Sequence, residues 1–247
     1  MIAYKFLSAG AIGIYSGFRW PAPANDEPGA WVRVDGPLVP SANGVHAVPA
    51  PALVEWIDDE LWLVELGGEL VRHEGILIAR EGRLVRCVDE WAPATARAFA
   101  RDCLLRVRDL SIEALRATGC ASDADSFARL DAADALEEHA AALSPRVEGF
   151  AAVALAYLAD AVALARGGRP GHYRRHPAAG TAPSPGAIAA NLGFVAAHVA
   201  GSSVADASCA SGNYDAGFER ERERQRGWLS ERLPLGERGL GDLAGTT

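Results

Sequence analysis

The first ninety residues contain a histidine and several carboxylates that could do acid–base chemistry together. His46 lies in the segment 44–47, between a turn-rich stretch and Pro49. An imidazole beside a carboxylate can act as a general acid or base when both line a cleft. On this pattern the candidate catalytic residues are His46, Glu65 and Glu55.

Arg19 and Trp20 lie in a glycine-flanked segment, 16–21, and could line the same cleft as ligand-binding residues. The predicted site then lies at the junction between a sheet and helices. In the alternative interpretation, His46 holds the backbone of a turn and the tryptophans pack the core, which is the usual role of tryptophan. The sequence leaves both interpretations open.

A second candidate site is the glycine- and proline-rich loop 167–186. Guanidinium groups match planar anions, and a tyrosine ring could stack on a base. The region 167–212 holds three basic residues and one acidic residue, although the whole chain has a net charge of -8. The alternative is a solvated connection between two helices. The candidate ligand-binding residues of this loop are Arg169, Tyr173, Arg174 and Arg175.

We expect no metal and no cofactor. His172 and His176 have the i, i+4 spacing of a helical metal site, but Pro170, Gly171 and Pro177 disfavour a helix there. The cysteines form no C-x-x-C pair, and the sequence has no G-x-S-x-G, G-x-G-x-x-G or Walker motif. Common hydrolase, dinucleotide-dependent and kinase classes therefore find no support.

Composition limits the partners and the compartment. The sequence pI of about 5.3 argues against a general nucleic-acid binder. The apolar runs 149–159 and 188–201 are shorter than the roughly 20 residues of a membrane span, so we expect buried helices there. The absence of a leader-like N-terminus and the four unpaired cysteines favour a cytoplasmic protein with reduced thiols. Arginine greatly outnumbers lysine, which favours a bacterial source.

Tryptophan and proline divide the chain into two parts. Five of the six tryptophans lie in the first 91 residues, and the remainder is rich in alanine. We predict an α+β fold with a small antiparallel sheet module over 1–90, a five-helix alanine-rich bundle over 91–235 and a flexible tail over 236–247. The predicted strands are 2–7, 30–34, 61–66, 70–73, 76–79 and 83–88, and the predicted helices begin near residues 93, 122, 146, 188 and 218.

Smaller features carry predictions of their own. Gly67-Gly68 indicates a hairpin or a bulge, and Glu81-Gly82 indicates a turn. The charged run 219–226 predicts a solvated helix, with a partner-binding helix anchored by Trp228 as the alternative. His198, on an apolar helix, is predicted to be a core histidine with its hydrogen bonds satisfied.

Part of the sequence resembles a group of uncharacterised bacterial and phage proteins, in which a strand-rich module precedes a helical tail. The segments that carry the resemblance are 4–7, 16–21, 44–47, 60–66 and 80–85. That group has a cysteine shortly after its Gly-x-His, where this chain has Val48 and Pro49, so the resemblance implies no thiol chemistry. The segment 218–233 also resembles the last helix of alanine-rich immunity-like proteins. Neither resemblance implies an established activity.

The leading functional hypothesis is a cytoplasmic binding or interaction protein, with an immunity-like role as one form of it. Its partner would be a small molecule or a protein, and neither nucleic acid nor a membrane. The alternative is a metal-independent enzyme that acts on a small molecule by acid–base catalysis through His46 and a carboxylate. A third hypothesis is binding of a phosphorylated ligand by the arginines of the loop.

Overall fold

A computed structural model describes residues 1–168, 182–208 and 211–235. The chain forms two compact units, Met1–Thr95 with Arg226–Thr247, and Ala96–Gln225. We call them the strand-rich unit and the helical unit. The predicted α+β class, with an antiparallel sheet followed by helices, is confirmed. The predicted tail, 236–247, lies outside the described residues.

The strand-rich unit is built on one antiparallel sheet. Its order is β1-β4-β5-β2, and β3 also pairs with β5. Lys5 lies opposite Trp62 in the β1–β4 pairing, and His46 lies opposite Ile78 in the β3–β5 pairing. The strands are β1 (Ile2–Leu7), β2 (Val32–Arg33), β3 (Val45–Ala47), β4 (Glu60–His73) and β5 (Ile76–Cys87).

The hairpin between β4 and β5 turns at Glu74-Gly75, where both residues have positive φ, as a two-residue hairpin turn requires. The turn predicted at Glu81-Gly82 is wrong, because β5 continues through it. Gly82 instead allows close packing, since a Cβ there would lie 2.7 Å from Val45 Cγ1. The bulge interpretation of Gly67-Gly68 is confirmed by a register shift between Gly67 and Leu70.

Side-chain alternation gives the sheet two buried faces. One face carries a cluster of aliphatic residues around two tryptophans, including Ala3, Leu7, Trp20, Ala47 and Trp62. On the other face, Phe6 lies edge-on to Trp91, with 5.3 Å between ring centroids. The Trp91 indole donates to the Asp58 backbone oxygen over 2.7 Å. The sheet is therefore the middle layer of its unit.

The helical part contains six α-helices in the described residues, one more than predicted. The predicted second helix is interrupted between Phe127 and Ala133. Arg108 donates to the Leu130 backbone oxygen over 2.7 Å, so a guanidinium satisfies that carbonyl where the helix is broken. The helices are α1 (Pro93–Ala117), α2 (Ala121–Phe127), α3 (Ala133–Leu143), α4 (Gly149–Ala165), α5 (Pro185–Ser208) and α6 (Tyr214–Arg232).

Helix α5 is long and apolar enough to cross a membrane by length and composition, but 61% of its most apolar window is buried in the structure. Ala189, Leu192, Ala196 and Val199 are fully buried along it. The buried helix predicted for the run 188–201 is therefore confirmed.

The prediction of a solvated helix for the run 219–226 is wrong for its inner face. Glu221, Arg222 and Gln225 are 3%, 1% and 0% exposed. The Glu221 carboxylate accepts from Arg106 of α1 over 3.3 Å and from Arg224 over 2.9 Å. Buried charges persist when they are paired and hydrogen-bonded, and this network meets that condition.

Helices α5 and α6 approach closely at Gly217, where a Cβ would lie 2.6 Å from the Ala200 backbone oxygen and 2.9 Å from Gly201 Cα. Gly227, on the same helix, is exposed and has no atom within 4 Å of its Cβ position. Substitutions at Gly217 and Gly227 therefore distinguish the effect of helix packing on stability from the effect of helix propensity.

We predict that Gly217→Ala lowers the free energy of unfolding by about 1–3 kcal/mol, because the helices must move apart. Gly227→Ala should raise it by up to about 1 kcal/mol through helix propensity. Urea denaturation followed by circular dichroism measures both. Equal effects of the two substitutions would contradict the close approach.

Candidate functional site

The candidate site begins where β1 and β3 meet. Tyr4 and Val48 form a backbone bridge, with N···O distances of 2.9 and 2.8 Å in the two directions. Backbone groups of alternate residues point the same way along a strand, so the His46 carbonyl faces β1 as that of Val48 does. It accepts a hydrogen bond from Lys5 Nζ, at 2.5 Å, in place of a backbone N–H. A side chain thus continues the link between the strands.

A cavity of about 710 Å³ lies at this junction, inside the strand-rich unit. Its lining includes the backbone of β1 and β3, the loop 13–18, and the segment after the 3₁₀ helix Ala50–Glu55. We call it the aromatic cavity, because six aromatic residues are among those that line it: Tyr4, Phe6, Tyr15, Phe18, Trp20 and Trp56.

Four of these aromatic side chains contact one another in pairs. Phe18 and Trp20 meet edge to face with 5.8 Å between centroids, and Tyr15 and Trp56 do so at 6.1 Å. Trp20 is buried, whereas Phe18 and Tyr15 are 45% and 70% exposed. Exposed rings beside a buried one give an apolar entrance that an apolar ligand could cover.

Lys5 is the one lysine of the sequence, and its side chain lines the cavity. Its Nζ lies 5.3 Å from the centroid of the Trp20 ring, within the range of a cation–π contact. Burial lowers the pKa of Lys5 to about 8. Removal from water disfavours the charged amine, and no neighbouring carboxylate offsets this effect.

His46 is the second titratable group of the cavity. Its Nε2 accepts the Ser41 N–H at 3.1 Å, so the ring proton resides on Nδ1 when the imidazole is neutral. Burial, and then the positive charge of Lys5, lower the pKa of His46, while a hydrogen bond with the Gly44 backbone raises it. The pKa of His46 is lowered overall, which favours a neutral imidazole at neutral pH.

The charged groups of the lining are all basic. Arg33 also lines the cavity and pairs with Glu81 at 2.6 Å. None of the described residues that line the cavity is an aspartate or a glutamate. The cavity therefore combines apolar walls with positive charge inside an acidic chain.

The structure brings together part of the predicted site. His46 and Trp20 both line the aromatic cavity. Glu65 is bound to Arg83, with a nitrogen–oxygen distance of 2.7 Å, and is not part of the lining. Glu55 lies on the 3₁₀ helix, also outside the lining, and Arg19 is exposed and donates to the Gly10 carbonyl.

The predicted loop site, Arg169, Tyr173, Arg174 and Arg175, lies outside the described residues, as do His172 and His176. Among the described residues, the group that sequence reasoning missed is Lys5. The sequence pattern could have identified it. Strand alternation places Lys5 on the same face as Ala3 and Leu7, which are both apolar and both buried.

The helical unit holds one more polar aromatic cluster. His198 Nε2 lies 2.7 Å from the Tyr157 hydroxyl, and Nδ1 lies 2.7 Å from the Tyr214 hydroxyl. A neutral imidazole has one donor and one acceptor, so one tyrosine accepts and the other donates. Both ring nitrogens are satisfied, as predicted, but His198 is half-buried rather than fully enclosed in the core.

Comparisons with protein-family models, curated proteins and solved structures found no match. The two resemblances noted from the sequence therefore stay predictions.

Lys5 makes stability depend on pH in a defined direction. In the unfolded chain the amine keeps its ordinary pKa of 10.5, whereas in the folded chain it titrates near pH 8. Between these values the unfolded state binds the extra proton, so stability rises with pH. Below about pH 8 both states are protonated and the cost of burying the charge is fully present.

We predict that the free energy of unfolding of the wild type, relative to Lys5→Met, rises by about 1–3 kcal/mol between about pH 7.5 and 10.5. Urea titrations at several pH values measure this difference, because other ionisations cancel between the two proteins. Exposed Arg72, changed to Met, is the matched control and should give a pH-independent difference. Parallel curves for wild type and Lys5→Met would contradict a buried amine.

Proposed function

We propose that this chain is a small-molecule-binding protein whose ligand occupies the aromatic cavity. The observation that carries the proposal is a cavity of about 710 Å³ whose lining combines six aromatic residues with the Lys5 amine, which lies over the Trp20 ring. Small-molecule sites in proteins are concave, about 300–1,000 Å³, mostly apolar and equipped with a few polar groups. The cavity has the size and composition of such a site.

The geometry favours binding over acid–base catalysis. The Nε2 lone pair of His46 is already engaged by the Ser41 N–H, so a base role would require that bond to break. The expected carboxylate partners, Glu65 and Glu55, do not line the cavity. A general acid–base pair needs both groups within reach of one ligand.

A small ligand also fits better than a protein partner. The rings line a concavity in the strand-rich unit, where planar compounds can stack and large surfaces cannot enter. An immunity-like role would need a partner surface, and no described feature favours one. We place the activity in the cytoplasm, which free Cys87, Cys103 and Cys120 support.

Phenylnaphthylamine, a neutral aromatic dye that brightens in apolar surroundings, tests the proposal directly. We predict saturable binding at one site, with energy transfer from the tryptophans that surround the cavity. Phe18→Ala should weaken binding by about tenfold, since it removes an aromatic contact of the order of 1–2 kcal/mol.

Val153→Ala is the matched control. Val153 lies in the helical unit, and its exposed fraction is the same 45% as that of Phe18. Its truncation should leave dye affinity unchanged. Absence of saturable binding, or equal affinities for Phe18→Ala and the wild type, would overturn the proposed site.

A further inference from the structure

We infer that the ligand of the aromatic cavity is an anion on an apolar ring system, held through its carboxylate or sulfonate by the Lys5 amine. This inference rests on the proposed function and names the chemical class of the ligand. Three observations support it: the charges of the lining residues, the N–H groups of Lys5 that remain for a ligand, and the existing ion pairs and hydrogen bonds of the charged residues nearby.

The charged residues that line the cavity are basic, although this part of the chain is acidic overall. Residues 1–90 contain 13 acidic and 7 basic groups, yet the described lining of the cavity holds three basic side chains and no acidic one. The three are Lys5, Arg33 and His46. Within the cavity, the positive charge of Lys5 and the lack of a carboxylate among the described lining residues favour an anionic ligand over a cationic one.

Lys5 retains donors for a ligand. An ammonium has three N–H groups, and the structure records one hydrogen bond, to the His46 carbonyl. Its cation–π contact with Trp20 supplies attraction but no counter-charge. Desolvation lowers the pKa of Lys5, which means that the charged amine is costly at this position, and an anion at Nζ would offset that cost.

The other charged groups near Lys5 already have partners within the protein. Arg33 binds Glu81, and the low pKa of His46 favours its neutral form. On β4, the Glu60 carboxylate accepts from the Gly10 and Ala11 N–H groups. It also accepts from the indole of Trp62, the residue opposite Lys5.

Two tyrosines complete the titratable set. Tyr4 lies on β1 beside Lys5, and Tyr15 lies in the loop that covers the cavity. A tyrosine side chain carries no positive charge, so neither residue can form an ion pair with an anionic ligand. Lys5 is therefore the group through which an anion would be held.

Anion binding at Lys5 must be coupled to a proton. The free amine titrates near pH 8, and a bound anion favours the charged form and raises that pKa. Above about pH 8, binding of the anion takes up a proton, so affinity falls as pH rises. Below it, the amine is already charged and affinity is independent of this group.

Two dyes of matched shape separate the ligand class from simple apolar binding. Anilinonaphthalene sulfonate is anionic, and phenylnaphthylamine shares its ring system without the charge. For the wild type at about pH 7, we expect the sulfonate to bind about tenfold or more tightly than the neutral dye, as one desolvated charge contact predicts. At about pH 10 this preference should shrink by about an order of magnitude.

Three variants assign the effect to Lys5. Lys5→Met should bind both dyes equally, with its affinity for the neutral dye within about threefold of wild type. Lys5→Arg should keep the preference at both pH values, because a guanidinium stays charged. Arg72→Met removes one exposed positive charge from the same unit and should behave as the wild type, which controls for net charge.

The outcomes separate the inference from the proposed function. If the neutral dye binds but the sulfonate is not preferred, or Lys5→Met keeps the preference, the anionic class is wrong and the cavity stands. If neither dye binds saturably, the proposed function fails. If Lys5→Met does not fold, the pH dependence of wild type against Lys5→Arg decides, and equal pH profiles would overturn the inference.

Discussion

In the strand-rich unit, the hydrogen bond from the Lys5 amine to the His46 carbonyl links β1 to β3 where their backbone pairing ends. Beyond the Tyr4–Val48 bridge, the His46 carbonyl faces β1 and needs a donor. A hydrogen bond of this kind contributes about 1 kcal/mol of net stability. A lysine side chain supplies the donor from a distance that a backbone N–H could not span, which leaves space beside the strands. The same contact that joins β1 to β3 therefore brings an amine into an apolar cavity.

The two units bury charge in different ways. In the helical unit, Glu221 is enclosed by Arg106 and Arg224, and Arg224 also reaches Asp102 at 2.6 Å. Each of these four groups has an opposite charge beside it. In the strand-rich unit, the Lys5 amine has a carbonyl and an aromatic ring. The first arrangement is complete within the protein, whereas the second leaves room for an external counter-charge.

The sequence predicted elements wherever a local pattern determined them. The strand at residues 2–7 was predicted with the bounds that β1 shows, because its apolar residues and the glycines after it are unambiguous. The three-residue β3 was missed, since so short a strand has no measurable period. The dipeptide Glu-Gly occurs at both 74–75 and 81–82, and tertiary pairing decides which one turns.

Burial of charge was harder to predict. The alternating signs of the run 219–226 are typical of a solvated helix, but Arg106, which pairs with Glu221, lies 115 residues away in sequence. Lys5 was overlooked for a related reason, because a lone cation in a strand suggests solvent. His46 and Trp20 were found since their residue types suggest chemistry, whereas the carboxylates expected beside them belong to other contacts, as Glu65 with Arg83 shows.

The lysine content has a consequence for chemical labelling. In this sequence the one ε-amine is Lys5, and the α-amine of Met1 is bound to the Leu66 carbonyl at 2.8 Å. Reagents that modify lysine side chains therefore report on this one half-buried amine. Because Lys5 is one of the residues that line the aromatic cavity, the extent of its acylation measures how accessible this part of the cavity is to solutes.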